Sequence, residues 1–414
     1  MYKIHTLDNG LTIVGEEIPY LKSITLGVWV NAGSRIESEK LSGISHFIEH
    51  MLFKGTKNRT SKEIASTIDN LGGQINAFTS KECTCYYVKL LDEHIDIGLD
   101  ILSDMFLNPL FDKEDIEKER QVILEELKMY EDSPEDLVYD LLMEGVYKTD
   151  ALGGNIIGTK ESLDNMNREI ISDYFEKYYV ASNSVISISG NFKFEEIVKL
   201  IEEKFKNLNK GDVNIEITTP EFHPCFIAKN KDTEQVNLAI SLKAIPLEDR
   251  EDAYALSIIN NIFGGSISSR LFQNIRENKG LVYSIYSAPS LYRKSGELGI
   301  YASMSNENLK KVYNLVLEEI DNIRENHLTE EEIRESKEQL KGSYILGLES
   351  TSSRMMSIGK SMLLTKKVKD PNDIIESINN IEKARIDLII DKVFNKENIG
   401  ICIVGRDVES ISLD

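Results

Sequence analysis

His46-Phe47-Ile48-Glu49-His50 lies inside an apolar run, Ile44 to Phe53, bracketed by Gly43 and Gly55. The pattern predicts a short buried helix. On it His46 and His50 are one turn apart and Glu49 lies to the other side of His46, so the three side chains project into a wedge of roughly 100°. Two imidazoles and a carboxylate on the buried face of an apolar helix are costly unless something pairs with them. A divalent metal is that partner. Zinc fits best, because imidazole and carboxylate ligation with an open fourth position suits it. The order His-x-x-Glu-His is the inverted zinc-hydrolase pattern.

A hydrolytic zinc takes a third protein ligand and keeps one position for water. The best source is a helix expected over 113–131, where Ile116, Ile123, Leu127 and Tyr130 form an apolar stripe. Glu119 and Glu126, two turns apart, border that stripe, and Glu125 falls away from it. Either Glu119 or Glu126 is the candidate, and the helical period does not choose between them. The metal lowers the pKa of its bound water, and Glu49, close to the metal but not bound, takes the proton and hands it to the leaving amine. His5, His94, His223 and His327 are read as structural histidines.

Composition narrows the partners. The chain has 414 residues, 48 basic and 69 acidic, for a net charge of −21. That argues against nucleic acid as a partner, since phosphate binding needs a basic footprint. The start, MYKIHTLDNG, has no apolar signal core and no run reaches membrane-spanning length, so the chain is expected to be cytoplasmic, with no membrane partner. Four cysteines do not make a disulfide framework. Cys83 and Cys85 are read as half-buried strand residues rather than a metal or redox site.

Organisation follows from turn and capping signals. Asp8-Asn9-Gly10 predicts a hairpin, Ile24 to Val30 alternates as a strand, and Thr60 with Glu63 forms a capping-box pattern. Gln74–Ser80 and Thr84–Leu91 read as paired strands. Residues 210–222, with Gly211 and Pro220, have no helical period and are taken as a linker between domains 1–209 and 223–414. The second half echoes the first: Asn237–Lys243 alternates like the 24–30 strand, and a helix near 250–262 follows it. The matching helix, however, lacks His-x-x-Glu-His. The expectation is an α+β fold of two homologous domains, each an antiparallel sheet flanked by helices, with only the first keeping the metal.

These residues resemble the pitrilysin family of inverzincins, over essentially the whole chain. In that family a glutamate ligand follows the His-x-x-Glu-His helix by about 76 residues; here that position is Glu126. The resemblance therefore implies His46, His50 and Glu126 as zinc ligands, one zinc per chain, with Glu119 matching a second glutamate that supports the site. Gly72-Gly73-Gln-Ile-Asn76-Ala77-Phe78-Thr79 is similar to the strand that pairs with the substrate backbone. Arg276 and Tyr283, seven apart, are similar to the family's arginine–tyrosine pair that contacts the substrate carbonyl or developing oxyanion. The implied activity is a zinc metalloendopeptidase acting on peptides or unfolded segments bound as an added strand in a closed chamber. The alternative is a non-catalytic or processing subunit of a larger peptidase complex. Because the zinc motif and the Arg/Tyr pair share one chain of half-family length, a homodimer in which each subunit completes the other's site is expected.

Overall fold

The computed structural model describes residues 2–410. The chain forms two compact units. The first comprises Met1–Leu127, Asn155–Glu216 and Ile345–Asp370; the second comprises Lys128–Gly154, Ile217–Tyr344 and Pro371–Asp414. This differs from a single cut at 210–222. That segment does lack helix and strand, but each unit also takes in a helix from the other half of the sequence.

The first unit is built on β1 (Lys3–Thr6), β2 (Thr12–Glu17), β3 (Ser23–Val30), β4 (Gln74–Thr79), β5 (Thr84–Leu91) and β6 (Ser184–Gly190), in the order β1-β2-β6-β3-β5-β4. The two-residue side-chain period of β3 divides it cleanly. Ile24, Leu26, Val28 and Val30 enter a core with Phe47, Leu102, Phe106, Ile171 and Phe205 from helices of the same unit. Between them, Thr25, Gly27 and Trp29 meet the helix Thr351–Thr365. There Thr25 and Thr351 share a hydroxyl hydrogen bond of 2.8 Å, a Cβ on Gly27 would lie 2.6 Å from the Met355 sulfur, and Gly359 lies against the Trp29 indole. Glycine on both surfaces lets that helix settle closely onto the sheet.

The second unit is built on β7 (Cys225–Asn230), β8 (Val236–Lys243), β9 (Ser284–Tyr292), β10 (Ser295–Met304) and β11 (Ile399–Gly405), in the order β7-β11-β8-β10-β9. Leu238, Ile240, Ile300 and Ile403 face a core with the helices Arg250–Phe263, Leu309–Asn326 and Lys383–Val393. Ala239, Cys402 and Val404 face the helix Pro134–Tyr147 through Val138, Leu142 and Val146.

The two sheets share one topology. β2-β6-β3-β5-β4 corresponds in order to β7-β11-β8-β10-β9, and the first sheet adds β1 at its edge. The α+β class and the duplication therefore hold. The sheets are mixed rather than wholly antiparallel, because β2 pairs with β6 and β7 with β11 in parallel. Among the described residues, no helix is long and apolar enough to cross a membrane.

Candidate active site

The helix Ile44–Leu52 occupies the space between β3 and β4 in the sequence of the first unit. Its entry needs glycine: Gly43 has φ of +88° and its Cα faces the Ile157 carbonyl too closely for a side chain. Glu37 caps it from outside. One carboxylate oxygen accepts from the Gly43 N–H at 2.7 Å and the other from the Ser45 N–H at 2.8 Å, satisfying donors a helix start leaves open. Burial pushes the Glu37 carboxyl up to about 7 against those bonds. Ile44, Phe47, Ile48, Met51 and Leu52 anchor the helix in the core.

With the helix fixed, His46 and His50 stand with ring centroids 4.7 Å apart. The helix Lys113–Asp132 brings a third donor. It is seated by Ile116, Ile123 and Leu127, and by buried Arg120, which donates to the carbonyls of Leu163 and Met166. Glu126 Oε2 then lies 3.8 Å from His46 Nε2 and 3.6 Å from His50 Nε2. One donor atom from each of the three residues falls within 4.8 Å of the others.

The donor chemistry fits zinc. Ligands about 2.0–2.2 Å from a tetrahedral zinc lie roughly 3.4 Å from one another, close to the spacings found. His46 is 8% exposed, and burial, with the nearby His50, holds its pKa down to about 3. It is a neutral imidazole, so its approach to Glu126 is not an ion pair. Lone pairs of one buried and two half-buried residues converge on one point, an arrangement suited to a cation between them.

Glu49 lies outside the donor cluster. Its Oε2 accepts from the Thr79 hydroxyl at 2.5 Å, and burial raises its pKa, opposed by that bond and by His50. Glu119 lies behind the cluster: it is 5% exposed, its Oε2 is 3.1 Å from His50 Nδ1, and its Oε1 is 2.5 Å from Lys54 Nζ. The two glutamates that the helical period left equivalent thus point to opposite nitrogens of His50. Glu125 is exposed, as its phase predicts. Lys54, Glu37 and Thr79 are the polar partners that sequence reasoning did not connect to this helix. Only Lys54 carried a local signal, one turn beyond His50.

Asn76, Ala77, Phe78 and Thr79 lie on β4, which ends the sheet order and, among the described residues, pairs with β5 alone. Thr79 turns toward Glu49, Phe78 packs edge-on against Trp29 at 5.7 Å, and Asn76 is exposed. A groove of about 590 Å³ runs beside the start of this strand, lined by Phe53, Ile64, Ile75 and Tyr87 among others.

Arg276 and Tyr283 belong to the second unit. Arg276 sits on a six-residue π-helix, Phe272–Glu277, with its guanidinium 4.7 Å above the Phe272 ring. Tyr283 is 71% exposed, and its N–H donates to the Ser303 carbonyl at 2.8 Å.

Residues 12–160 match the family described as insulinase (peptidase family M16), and residues 165–340 match the peptidase M16 inactive domain. An uncharacterized zinc protease of Bacillus subtilis, YmxG, is 42% identical over 397 residues, covering 96% of this chain and 97% of its own length. The chain belongs to peptidase family M16. An uncharacterized zinc protease of Rickettsia felis is 37% identical over 414 residues, 98% of each chain. Two solved structures share the M16 fold: a peptidase M16 inactive domain from Pseudomonas fluorescens (TM-score 0.92, 20% identity, covering 99% of this chain and 98% of the other) and a protease from Helicobacter pylori (TM-score 0.89, 21% identity, 98% and 99%). The first M16 match contains His46, Glu49, His50, Glu119 and Glu126, and the inactive-domain match contains Arg276 and Tyr283.

Proposed function

We propose that this M16 chain is a zinc metalloendopeptidase that hydrolyses peptides or unfolded protein segments held as an added β-strand, with one zinc per chain. The observation that carries this reading is the convergence of His46, His50 and Glu126 on one point, with the carboxylate of Glu49 near enough for His50 and Glu126 to act on its charge. Zinc names are borne by the relatives in Bacillus subtilis and Rickettsia felis, and the donor set here is of the right kind.

When bound, zinc supplies Lewis acidity that activates water and polarises the scissile carbonyl. His46 and His50 hold it as neutral imidazoles and Glu126 as a carboxylate. Glu49 takes the proton of the attacking water and delivers it to the leaving amine; its raised pKa strengthens it as a proton acceptor. Thr79, donating to Glu49, keeps one carboxylate oxygen directed while the other works. The free edge of β4, from Asn76 to Thr79, offers main-chain hydrogen bonds to an extended peptide, which places recognition on backbone more than side chain. Arg276 and Tyr283 carry donors suited to a developing oxyanion. In our reading they act from a second copy of the chain, in a homodimer that encloses the substrate. A non-catalytic peptide-binding subunit would be free to lose members of this set, and all of them are present.

The test is Glu49→Gln. The variant is expected to keep stoichiometric zinc by metal analysis while peptide hydrolysis falls by about 10²–10⁴-fold. Near-normal turnover would remove Glu49 from the role of base.

A further inference from the structure

We propose that Lys54 is a positioning residue of the metal centre: acting through Glu119, it fixes the His50 imidazole with Nε2 directed at the ligand cluster. The inference rests on the zinc reading above and assigns a role to a residue outside the ligand and base set.

The two histidines are supported differently. His46 is nearly enclosed, and its Nδ1 is buried with no hydrogen-bond partner among the described residues, so packing does most to orient it. The His50 side chain is 23% exposed, and packing constrains it less. Its orientation comes from the carboxylate of Glu119, 3.1 Å from Nδ1. For Glu119 to accept there, Nδ1 must carry the proton, which leaves the Nε2 lone pair facing Glu126 Oε2 at 3.6 Å.

Glu119 can serve this purpose only if its own charge is held in place. Its side chain is 7% exposed, and a carboxylate so buried is costly without a counter-charge. Lys54 supplies it. The backbone N–H of Lys54 bonds to the Met51 carbonyl at 3.1 Å, one turn past His50, which carries the side chain back along the same face of the helix. Nζ then reaches Glu119 Oε1 at 2.5 Å, while the other oxygen serves His50. Each carboxylate oxygen therefore has one task. The Lys54 side chain is 34% exposed, at the C-terminal end of the helix where a cation is favoured.

The experiment measures zinc affinity of metal-stripped, reloaded protein by competition with a chelator, for wild type, Lys54→Met, Lys54→Arg, Glu119→Gln and the Lys54→Met/Glu119→Gln double variant. Lys54→Met is expected to weaken zinc binding about tenfold or more, as loss of an outer hydrogen-bond partner does. Lys54→Arg is expected to restore most of it, and Lys54→Met to add nothing in the Glu119→Gln background. Imidazole nitrogen NMR of the metal-free protein gives a second readout: His50 is expected to change from one tautomer to a mixture in Lys54→Met, with His46 unaffected. Should Lys54→Met not fold, Lys54→Gln takes its place. Wild-type affinity in the methionine variant, or an equal loss in the Glu119→Gln background, overturns this inference alone. A wild-type chain that binds no zinc overturns the proposed function with it.

Discussion

Glu37 lies six residues before Gly43, yet both its oxygens are committed to the start of the helix that presents the histidines. Lys81, Tyr174 and Tyr179 are the charged and titratable groups whose fields couple to it. Burial raises its carboxyl from 4.5 to about 7. The folded state therefore holds a proton between those values that the unfolded chain has released. Stability from this group is full below about pH 4.5 and is lost as pH rises through 7, by an amount on the order of 3 kcal/mol. Glu37→Gln removes the titration. Urea unfolding of the metal-free proteins from pH 5 to 8 is expected to show wild type losing stability relative to the glutamine variant as pH rises. A difference that stays flat across the range would rule the account out. At this scale the sequence reveals what one helix carries by itself: His46, Glu49 and His50 share a face through their spacing alone. Glu119 and Glu126 were indistinguishable because both border one apolar stripe, and only the direction of each carboxylate relative to His50 separates them. Glu37 and Thr79 were silent because their partners lie on other elements, where no local period points.

Elements with strong local signals appear close to where the sequence places them. The Asp8-Asn9-Gly10 hairpin joins β1 to β2, and the Thr60–Glu63 capping box opens the helix Ser61–Asp69. β7 gave no expectation, because Cys225–Asn230 is a partly exposed edge strand with no clean alternation. Phe272–Glu277 is a π-helix, a hydrogen-bond pattern that side-chain period does not encode. The parallel pairings were hidden for a similar reason: β2 and β6 are joined through most of the first unit, and nothing local sets their direction. The helix Thr351–Thr365 offers a test at this scale. Gly359 lies in its interior, and a Cβ there would press on the Trp29 indole and lie 2.6 Å from the Ser187 hydroxyl, which accepts from that indole at 2.8 Å. Gly359→Ala gains up to about 1 kcal/mol of helix propensity. Overpacking of the indole is expected to outweigh it and leave a net loss of about 1–2 kcal/mol. Denaturant midpoints of the two proteins check this, and an unchanged or higher midpoint in the alanine variant would show that the indole yields.

At the level of the whole molecule, the matching sheet orders mean that one topology occurs twice with different side chains on it. The first copy kept the histidines, on the helix that follows β3; in the second, the helix after β8 carries Ala255, Leu256, Ile258 and Ile259 into the core instead. The second copy holds Arg276 and Tyr283, exposed and without a metal cluster among its described residues. If, as proposed, catalysis draws on both copies of the fold, each is incomplete alone, and the question is which chain supplies the missing half. Complementation answers it. Glu49→Gln removes the base and leaves Arg276 and Tyr283 intact; Arg276→Ala/Tyr283→Phe does the reverse. If sites are shared between subunits, mixing the two inactive variants under subunit exchange forms heterodimers with one complete site, and activity is expected to return to roughly a quarter of wild type for random pairing in a two-fold dimer. If each chain uses its own second unit, no pairing restores a site and the mixture stays inactive. Scattering or gel filtration on the same samples reports whether dimers form, so an inactive dimeric mixture would reject the shared site while leaving the zinc chemistry of the first unit standing.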